Sequence, residues 1–306
     1  MADLGLHPFP WVGEGVDWIT RAHRTLDDLP PAISTVWLSD HFQFDGDPEP
    51  DVWTRLTWLG ATFPNIRLGT MVLAQSYRNP GLLGIMAATL QDLSKGRLIL
   101  GLGAGWHEEE YRALHYDYPS GGTRVAQLAE TIQLLKTLWT TSPATFHGEW
   151  YGLTDAVCPP VETPIPILVG THGKKAIQVV ARYADWWAWD GPWETTYREP
   201  YERLKAECAA IGRPFESIVK VSELTISMPE DPETFEPWTT NEEAYPGQRF
   251  GVAGPTPADV IREIETLVDV GVSHITMNFE DERQYRLFVA EVLPHVRLEP
   301  RETAAA

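Results

Sequence analysis

The chain has 306 residues, of which 43% are hydrophobic, and this is enough to bury a large core as one domain. Its formal net charge of −19 disfavours nucleic acids and anionic membranes as partners, because every phosphate contact would oppose the charge of the whole molecule. The two cysteines are too few for a disulfide framework, and the start of the chain lacks the basic and apolar stretches of a signal peptide. We therefore expect a cytoplasmic protein without a membrane segment.

Short aliphatic runs alternate with helical periodicity along almost the whole chain, which is typical of parallel βα units. Several runs are nearly continuously apolar, as strands buried on both faces are. The sequence therefore predicts an α/β fold, a single (β/α)8 TIM barrel that occupies residues 1–306 as one domain. The eight predicted strands are residues 2–7, 33–39, 65–72, 97–102, 165–169, 186–189, 217–227 and 273–279.

Three helices between these strands have clear sequence signals. Asn79 and Pro80 form a cap followed by a proline at the first helical position. Apolar residues at helical spacing predict a second helix from Val125 to Trp139. Thr256 and Pro257 open a third. Elsewhere, residues 140–164 and 228–250 break the alternation, and we expect both to be insertions at the barrel rim.

Four of the nine histidines follow predicted strands, together with three other polar residues. In a parallel barrel the loops that follow the strands form the active face. His41 is our candidate proton donor or acceptor, because an imidazole titrates near neutrality and a small shift suits it to acid–base catalysis. The other polar residues that follow predicted strands are His7, Asp40, His107, His172, Asn278 and Glu280.

Two glycine-rich turns follow predicted strands. Residues 101–106 resemble a dinucleotide-binding fingerprint, but Trp106 replaces its last glycine. These glycines instead indicate close approach of a flat ligand or a neighbouring loop. Residues 170–173 precede a predicted helix that begins near Lys174 and Lys175, and its free N–H groups and cations would suit a phosphate. A tight turn with exposed lysines is the alternative.

No metal-binding motif is present, and there is no nucleophile elbow or phosphate-binding loop of the Walker type. We interpret Glu108, Glu109 and Glu110 as a solvated helix start and not as catalytic carboxylates. The alternative is glycoside hydrolysis, in which Glu108 or Glu109 would act with Glu223.

Several segments together resemble the bacterial-luciferase-like flavin and deazaflavin oxidoreductases, over nearly the whole chain. These segments are residues 37–42, 68–72, 77–80 and 101–111. The sequence Ser-Asp-His-Phe at residues 39–42 resembles the deazaflavin branch, which uses coenzyme F420. At the position of Trp106 the sugar-phosphate dehydrogenases of that branch carry a glutamate, so this chain departs from them at a position on which both their substrate and their acid–base assignment depend.

The resemblance implies an oxidoreductase that transfers a hydride between F420 and a small organic substrate, which the sequence does not identify. It also implies a cis peptide bond between Met71 and Val72, behind the cofactor ring. The cofactor-binding residues that it implies are Asp40, His41, Thr70, Met71, Val72, Gly103, Ala104, Gly105, Trp106, Gly170, Thr171, His172, Gly173 and Lys174.

The sequence leaves other functions open. The same scaffold could serve an FMN-dependent monooxygenase, in which reduced flavin activates oxygen. A barrel that binds a flavin without turnover is a further alternative. We also expect a homodimer.

Overall fold

The structure is a computed structural model that describes residues 1–7, 17–44, 47–171, 173–239 and 249–300. Within these ranges, strands and helices alternate along the chain. None of the helices in this part of the chain is long and apolar enough to cross a membrane.

The eight main strands are β1 (Asp3–Leu6), β2 (Ile33–Leu38), β3 (Arg67–Thr70), β4 (Leu98–Gly103), β5 (Ile167–Gly170), β6 (Trp186–Asp190), β7 (Val219–Ile226) and β8 (His274–Phe279). Their hydrogen-bonded order is β6-β5-β4-β3-β2-β1-β8-β7. An additional pairing of β6 with β7 closes the sheet, so the predicted (β/α)8 barrel is confirmed. Each predicted strand is present, and its ends differ from the expected ones by no more than two residues.

The α-helices of the described residues are α1 (Trp18–Leu26), α2 (Val52–Thr62), α3 (Pro80–Leu93), α4 (Glu108–Ala113), α5 (Gly121–Thr140), α6 (Lys174–Tyr183), α7 (Arg198–Ala210), α8 (Pro257–Asp269) and α9 (Glu282–Leu287). Asn79 caps α3 through the backbone N–H groups of its first turn. Thr256 and Asp259 form a capping box at the start of α8. Both helix starts agree with the sequence prediction.

Backbone contacts divide the chain into two compact units. The first comprises residues 1–37, 188–203 and the chain from Val219 onwards, and its core includes Leu4, Leu224 and Met277. The second comprises residues 38–187 and 204–218, and its core includes Leu68, Leu100 and Val169. The expectation of a single domain stays a prediction.

In the second unit, β3 and β4 approach so closely that position 101 accepts only glycine. A Cβ atom there would lie 1.8 Å from the carbonyl oxygen of Thr70. The Thr70 hydroxyl donates to the carbonyl of Gly101 at 2.9 Å and accepts from its N–H at 2.8 Å. Thr70 is buried, and its hydroxyl links the two strands through these hydrogen bonds. It is the residue immediately before the Met71–Val72 peptide bond.

The first expected insertion, residues 140–164, connects α5 to β5. It contains an antiparallel hairpin of strands Ala144–His147 and Gly152–Ala156. The carboxylate of Glu130 on α5 accepts hydrogen bonds from three successive N–H groups in the hairpin turn, those of Glu149, Trp150 and Tyr151. The Tyr151 hydroxyl then reaches the side chain of Gln75, so the turn lies beside the loop that follows β3.

The second expected insertion, residues 228–250, is described in part. A short 3-10 helix, Pro232–Thr234, precedes a strand at Trp238–Thr239. That strand pairs antiparallel with Phe250–Ala253, which in turn pairs parallel with β7. Residues 240–248 lie outside the described residues.

Candidate active site

Asp40, two residues after the end of β2, forms a buried ion pair. Arg78 donates to both of its carboxylate oxygens, at 2.8 and 3.1 Å, and the N–H of Ala74 donates to one of them at 3.1 Å. Burial would lower the pKa of Arg78, but Asp40 and Asp51 outweigh that effect and raise it. Asp40 therefore holds the loop after β3 against the end of β2. Its direct contact with a cofactor stays a prediction.

His41 is held by Glu110, the third residue of α4. Its Nδ1 atom lies 3.0 Å from Oε2 of Glu110. The same carboxylate accepts hydrogen bonds from the backbone N–H groups of Phe42 and Gln43, at 2.5 and 3.1 Å, and from the hydroxyl of Tyr77, at 3.0 Å. Three donors and the His41 ring, from two loops, thus converge on one carboxylate, which is fully buried.

The structure corrects our interpretation of the three successive glutamates. Glu108 and Glu109 are exposed, and Glu108 pairs with Arg112 on the surface, as expected of a solvated helix start. Glu110 is buried, so that interpretation is wrong for it. Because the next residue, Tyr111, is buried beside it, the Glu-Tyr pair is the inward face of α4. The only sign of this burial in the sequence is that the carboxylate is followed directly by an aromatic residue.

The imidazole of His41 lies among other rings. Its centroid is 5.3 Å from that of Trp106 and 5.9 Å from that of His107, and the last two are 4.8 Å apart. His107 is almost fully buried, whereas 18% of the His41 side chain is exposed. The structure thus places His41 at a partly open position between the loops that follow β2 and β4.

The loop that bears Trp106 is fixed by residues further along the chain. Tyr118 donates to the carbonyl of Trp106 at 2.7 Å, and Arg124 donates to that of Gly105 at 3.2 Å while it stacks on the Tyr118 ring. Gly105 has a φ of +79°, and a Cβ there would lie 1.9 Å from the Tyr111 hydroxyl. Ala104 lies in the same loop.

The Met71–Val72 peptide bond is cis, as the resemblance implies. The Val72 side chain occupies the space that side chains at Gly103 and Gly170 would need, since Cβ atoms there would come within 2.6 and 2.9 Å of its methyl groups. Of the two explanations for the glycines after β4, close approach of a neighbouring loop thus accounts for Gly103.

The expected phosphate-binding turn follows β5 and leads into α6. Gly173 is the residue before the helix, and no side chain caps its first turn. The Gly173 N–H donates to the Thr171 hydroxyl at 3.1 Å, and a Cβ on Gly173 would meet no atom within 4 Å. Lys174 and Lys175 are both exposed. His172 lies outside the described residues.

The first unit has a polar cluster of its own. Nδ1 of His7 lies 2.8 Å from Oδ1 of Asn278, whose amide donates to Glu223 at 2.6 Å. Glu280, by contrast, is exposed. Among the described residues, no group of three or more potential ligands could hold a metal ion.

Comparison with known proteins places these features in a family. A family profile described as luciferase-like monooxygenase matches residues 32–245. F420-dependent glucose-6-phosphate dehydrogenase of Kineococcus radiotolerans is 30% identical over 303 residues, which cover 87% of this chain and 89% of that protein. The enzyme of the same name from Nakamurella multipartita is 28% identical, with coverages of 87% and 88%.

Solved structures agree on the fold. An F420-dependent secondary alcohol dehydrogenase, in complex with an F420-acetone adduct, superposes with a TM-score of 0.77 at 15% identity and covers 97% of this chain and 99% of its own. The F420-dependent tetrahydromethanopterin reductase of Methanopyrus kandleri gives 0.73 at 16% identity, with the same coverages. The family match and the near full-length relative at 30% identity lead to one conclusion: the chain belongs to the luciferase-like monooxygenase family.

Proposed function

We propose that this chain is an F420-dependent oxidoreductase that transfers a hydride between the deazaflavin and a small organic substrate. The observation that carries the proposal is the placement of His41, which is anchored at Nδ1 and partly exposed beside Trp106 at the carboxyl ends of β2 and β4. Two curated relatives that match this chain over almost its full length are named as F420-dependent enzymes, and they support the choice of cofactor.

The residues present fit an anionic, ring-containing cofactor. F420 has a phosphate-bearing tail, and a chain with a net charge of −19 needs a local positive site to bind it. The uncapped start of α6 offers backbone N–H groups, open space beside Gly173 and the exposed cations of Lys174 and Lys175. We assign the tail to Gly170, Thr171, His172, Gly173 and Lys174.

The ring end is assigned to the loops after β2, β3 and β4. When bound, F420 supplies the hydride donor or acceptor. The protein has to bind the cofactor, orient it against the substrate and transfer protons. His41 holds or delivers a proton at its ring, and Trp106 and His107 limit the access of water to it. The residues assigned to this end are Asp40, His41, Thr70, Met71, Val72, Gly103, Ala104, Gly105 and Trp106.

The test is to compare binding of F420 and FMN to the purified chain by fluorescence quenching. We expect F420 to bind at least tenfold more tightly, a difference of about 1.4 kcal/mol. Equal or reversed affinities would favour the FMN-dependent monooxygenase. Tight F420 binding without reduction of F420 by any alcohol, polyol or sugar phosphate of a substrate panel would favour the non-catalytic barrel.

We further propose a cytoplasmic homodimer. Neither Cys158 nor Cys208 forms a disulfide, which agrees with a reducing compartment. Leu82, Ile85 and Leu93 are exposed on α3, at 55%, 39% and 64%, and large exposed apolar side chains along one helix are a feature of protein interfaces. Light scattering of the parent chain and of a Leu82→Glu, Leu93→Glu variant tests this. A monomeric parent contradicts it.

A further inference from the structure

We propose that Glu110 is a positioning residue that fixes the neutral His41 ring in the tautomer with its hydrogen on Nδ1, so that Nε2 is the atom that takes up and releases the catalytic proton. The catalytic part of this inference rests on the proposed function. The tautomer itself follows from contacts among residues of the second unit and can be measured without any cofactor.

The hydrogen-bond partners of Glu110 determine which charge state of its side chain is favoured. Two of its partners are backbone N–H groups, which can only donate hydrogen bonds. A third is the Tyr77 hydroxyl, and burial together with the adjacent carboxylate raises the pKa of Tyr77 far above its ordinary value, so this phenol keeps its proton. Each of these three donors stabilises a negative charge on the carboxylate, so the hydrogen bonds favour the ionised form of Glu110.

The direction of the Glu110 pKa agrees with the ionised form. Burial by itself would raise the pKa of a carboxyl group, but the hydrogen-bond contact with His41 and the hydrogen bonds from two backbone amides outweigh burial and hold the pKa of Glu110 below its ordinary value.

The ionised Glu110 determines which ring nitrogen of His41 carries the hydrogen. Because Oε2 of an ionised Glu110 can only accept, the Nδ1 atom 3.0 Å away has to carry a hydrogen. A neutral imidazole has only one ring hydrogen, so Nε2 then has a free lone pair, and in the cation both nitrogens carry hydrogen. Gain and loss of the proton at Nε2 therefore leave the bond to Glu110 intact.

Glu110 positions the backbone of the loop after β2 as well as the imidazole ring. Residues 41 and 110 are 69 positions apart, and the loop that bears His41 is also tied to the Glu110 carboxylate through the amides of Phe42 and Gln43. Glu110 thus sets the loop backbone and the imidazole ring together. A group that fixes both the orientation and the tautomer of a histidine is the recurrent partner of catalytic imidazoles.

The substitution Glu110→Gln removes the negative charge of the side chain and keeps its shape. Its carbonyl oxygen can still accept from the two backbone amides, but its NH2 group then points towards Tyr77 and His41 as a donor. An Nδ1–H facing a donor is unfavourable, so the neutral ring should change to the tautomer with hydrogen on Nε2. The control Tyr77→Phe removes one donor to the same oxygen and leaves the carboxylate in place.

The experiment is long-range ¹H–¹⁵N correlation NMR on the cofactor-free full-length chain with ¹⁵N-labelled histidine, at a pH where the ring is neutral. Signals of His41 are identified by their loss in His41→Asn. We expect a protonated Nδ1 and an unprotonated Nε2 in the parent and in Tyr77→Phe, and the reverse in Glu110→Gln. A parent ring with hydrogen on Nε2 overturns the proposal. So does a folded Glu110→Gln variant that keeps the parent pattern.

Two further results keep the test decisive. If Glu110→Gln does not fold, the tautomer of the parent decides the question alone. With F420 and a reducing substrate, the folded variant should lose turnover by roughly 10²-fold, the lower range for general acid–base catalysis, while the F420 dissociation constant changes far less. A parent with the expected tautomer but no F420 binding would overturn the proposed function and leave the positioning of His41 intact.

Discussion

The guanidinium of Arg78 donates to both carboxylate oxygens of Asp40, at 2.8 and 3.1 Å, and the Asp40 side chain is fully buried. This pair joins the loop after β2 to the loop after β3. Since Asp40 directly precedes His41, the pair is part of the frame that supports the candidate proton donor or acceptor.

Removing one charge of this pair should destabilise the fold. In Asp40→Asn the Arg78 cation loses its buried partner but keeps Asp51 at 2.9 Å, so we expect a loss of about 1 to 3 kcal/mol, below the range of about 3 to 5 kcal/mol for a buried charge with no partner. Urea unfolding of the parent and the variant measures the change. Asp92→Asn, at an exposed site on α3, is the matched control and should shift stability by less than about 0.5 kcal/mol. A similar shift in both variants would contradict the prediction.

His41→Asn should impair turnover and spare cofactor binding. Loss of a general acid or base lowers the rate by roughly 10²- to 10⁴-fold, whereas the ring contributes one contact among many to the bound cofactor. The control is His115→Asn, because His115 is exposed and its φ of 57° is tolerated by asparagine. Steady-state kinetics and F420 titration distinguish the two effects. Unchanged turnover in His41→Asn would remove His41 from the reaction.

Charge reversal at the start of α6 should weaken F420 binding. Lys174→Glu places a negative charge where we assign the cofactor tail, and we expect a loss of about 1 kcal/mol, roughly fivefold in the dissociation constant. Added salt should reduce the difference, because exposed charges are screened. Lys205→Glu, on an exposed position of α7, is the charge-matched control. If both Lys174→Glu and Lys175→Glu bind as tightly as the parent at low salt, the tail lies elsewhere.

Glu110 should make stability depend on pH in the acid range. Its folded-state pKa is depressed, so the ionised group stabilises the fold above the unfolded-state pKa of about 4.3, and this contribution is lost as pH falls through the folded-state value. We therefore expect Glu110→Gln to be less stable than the parent at neutral pH, with a gap that narrows below about pH 4. Unfolding free energies across this range test it, with the exposed Glu109→Gln as control. A constant gap would contradict the assignment.

Glu130 should hold the hairpin of residues 144–156 against α5. Its carboxylate accepts from three N–H groups of the turn, so Glu130→Ala leaves several donors unpaired and should cost at least about 1 to 3 kcal/mol. We also expect faster proteolytic cleavage near Gly148, where the backbone packs directly on the carboxylate. Glu149→Ala, which removes an exposed side chain from the same turn, is the control and should resemble the parent.

Local patterns in the sequence were sufficient for the architecture. The strands and helix starts depend on apolar spacing and on caps such as Asn79 and Thr256, which act within a few residues and are visible in the sequence. The short motif around His41, together with the glycine segment after β4, was sufficient for the family, since both lie at the strand ends where a barrel positions its chemistry.

The partners of those motif residues depended on the tertiary structure. Asp40 meets Arg78 38 residues later, and His41 meets Glu110 69 residues later. No periodicity relates positions so far apart, and Glu110 resembles its two exposed neighbours in sequence. Only the packing of α4 against the loop after β2 buries that carboxylate, and burial among donors turns an ordinary surface residue type into the group that orients the imidazole.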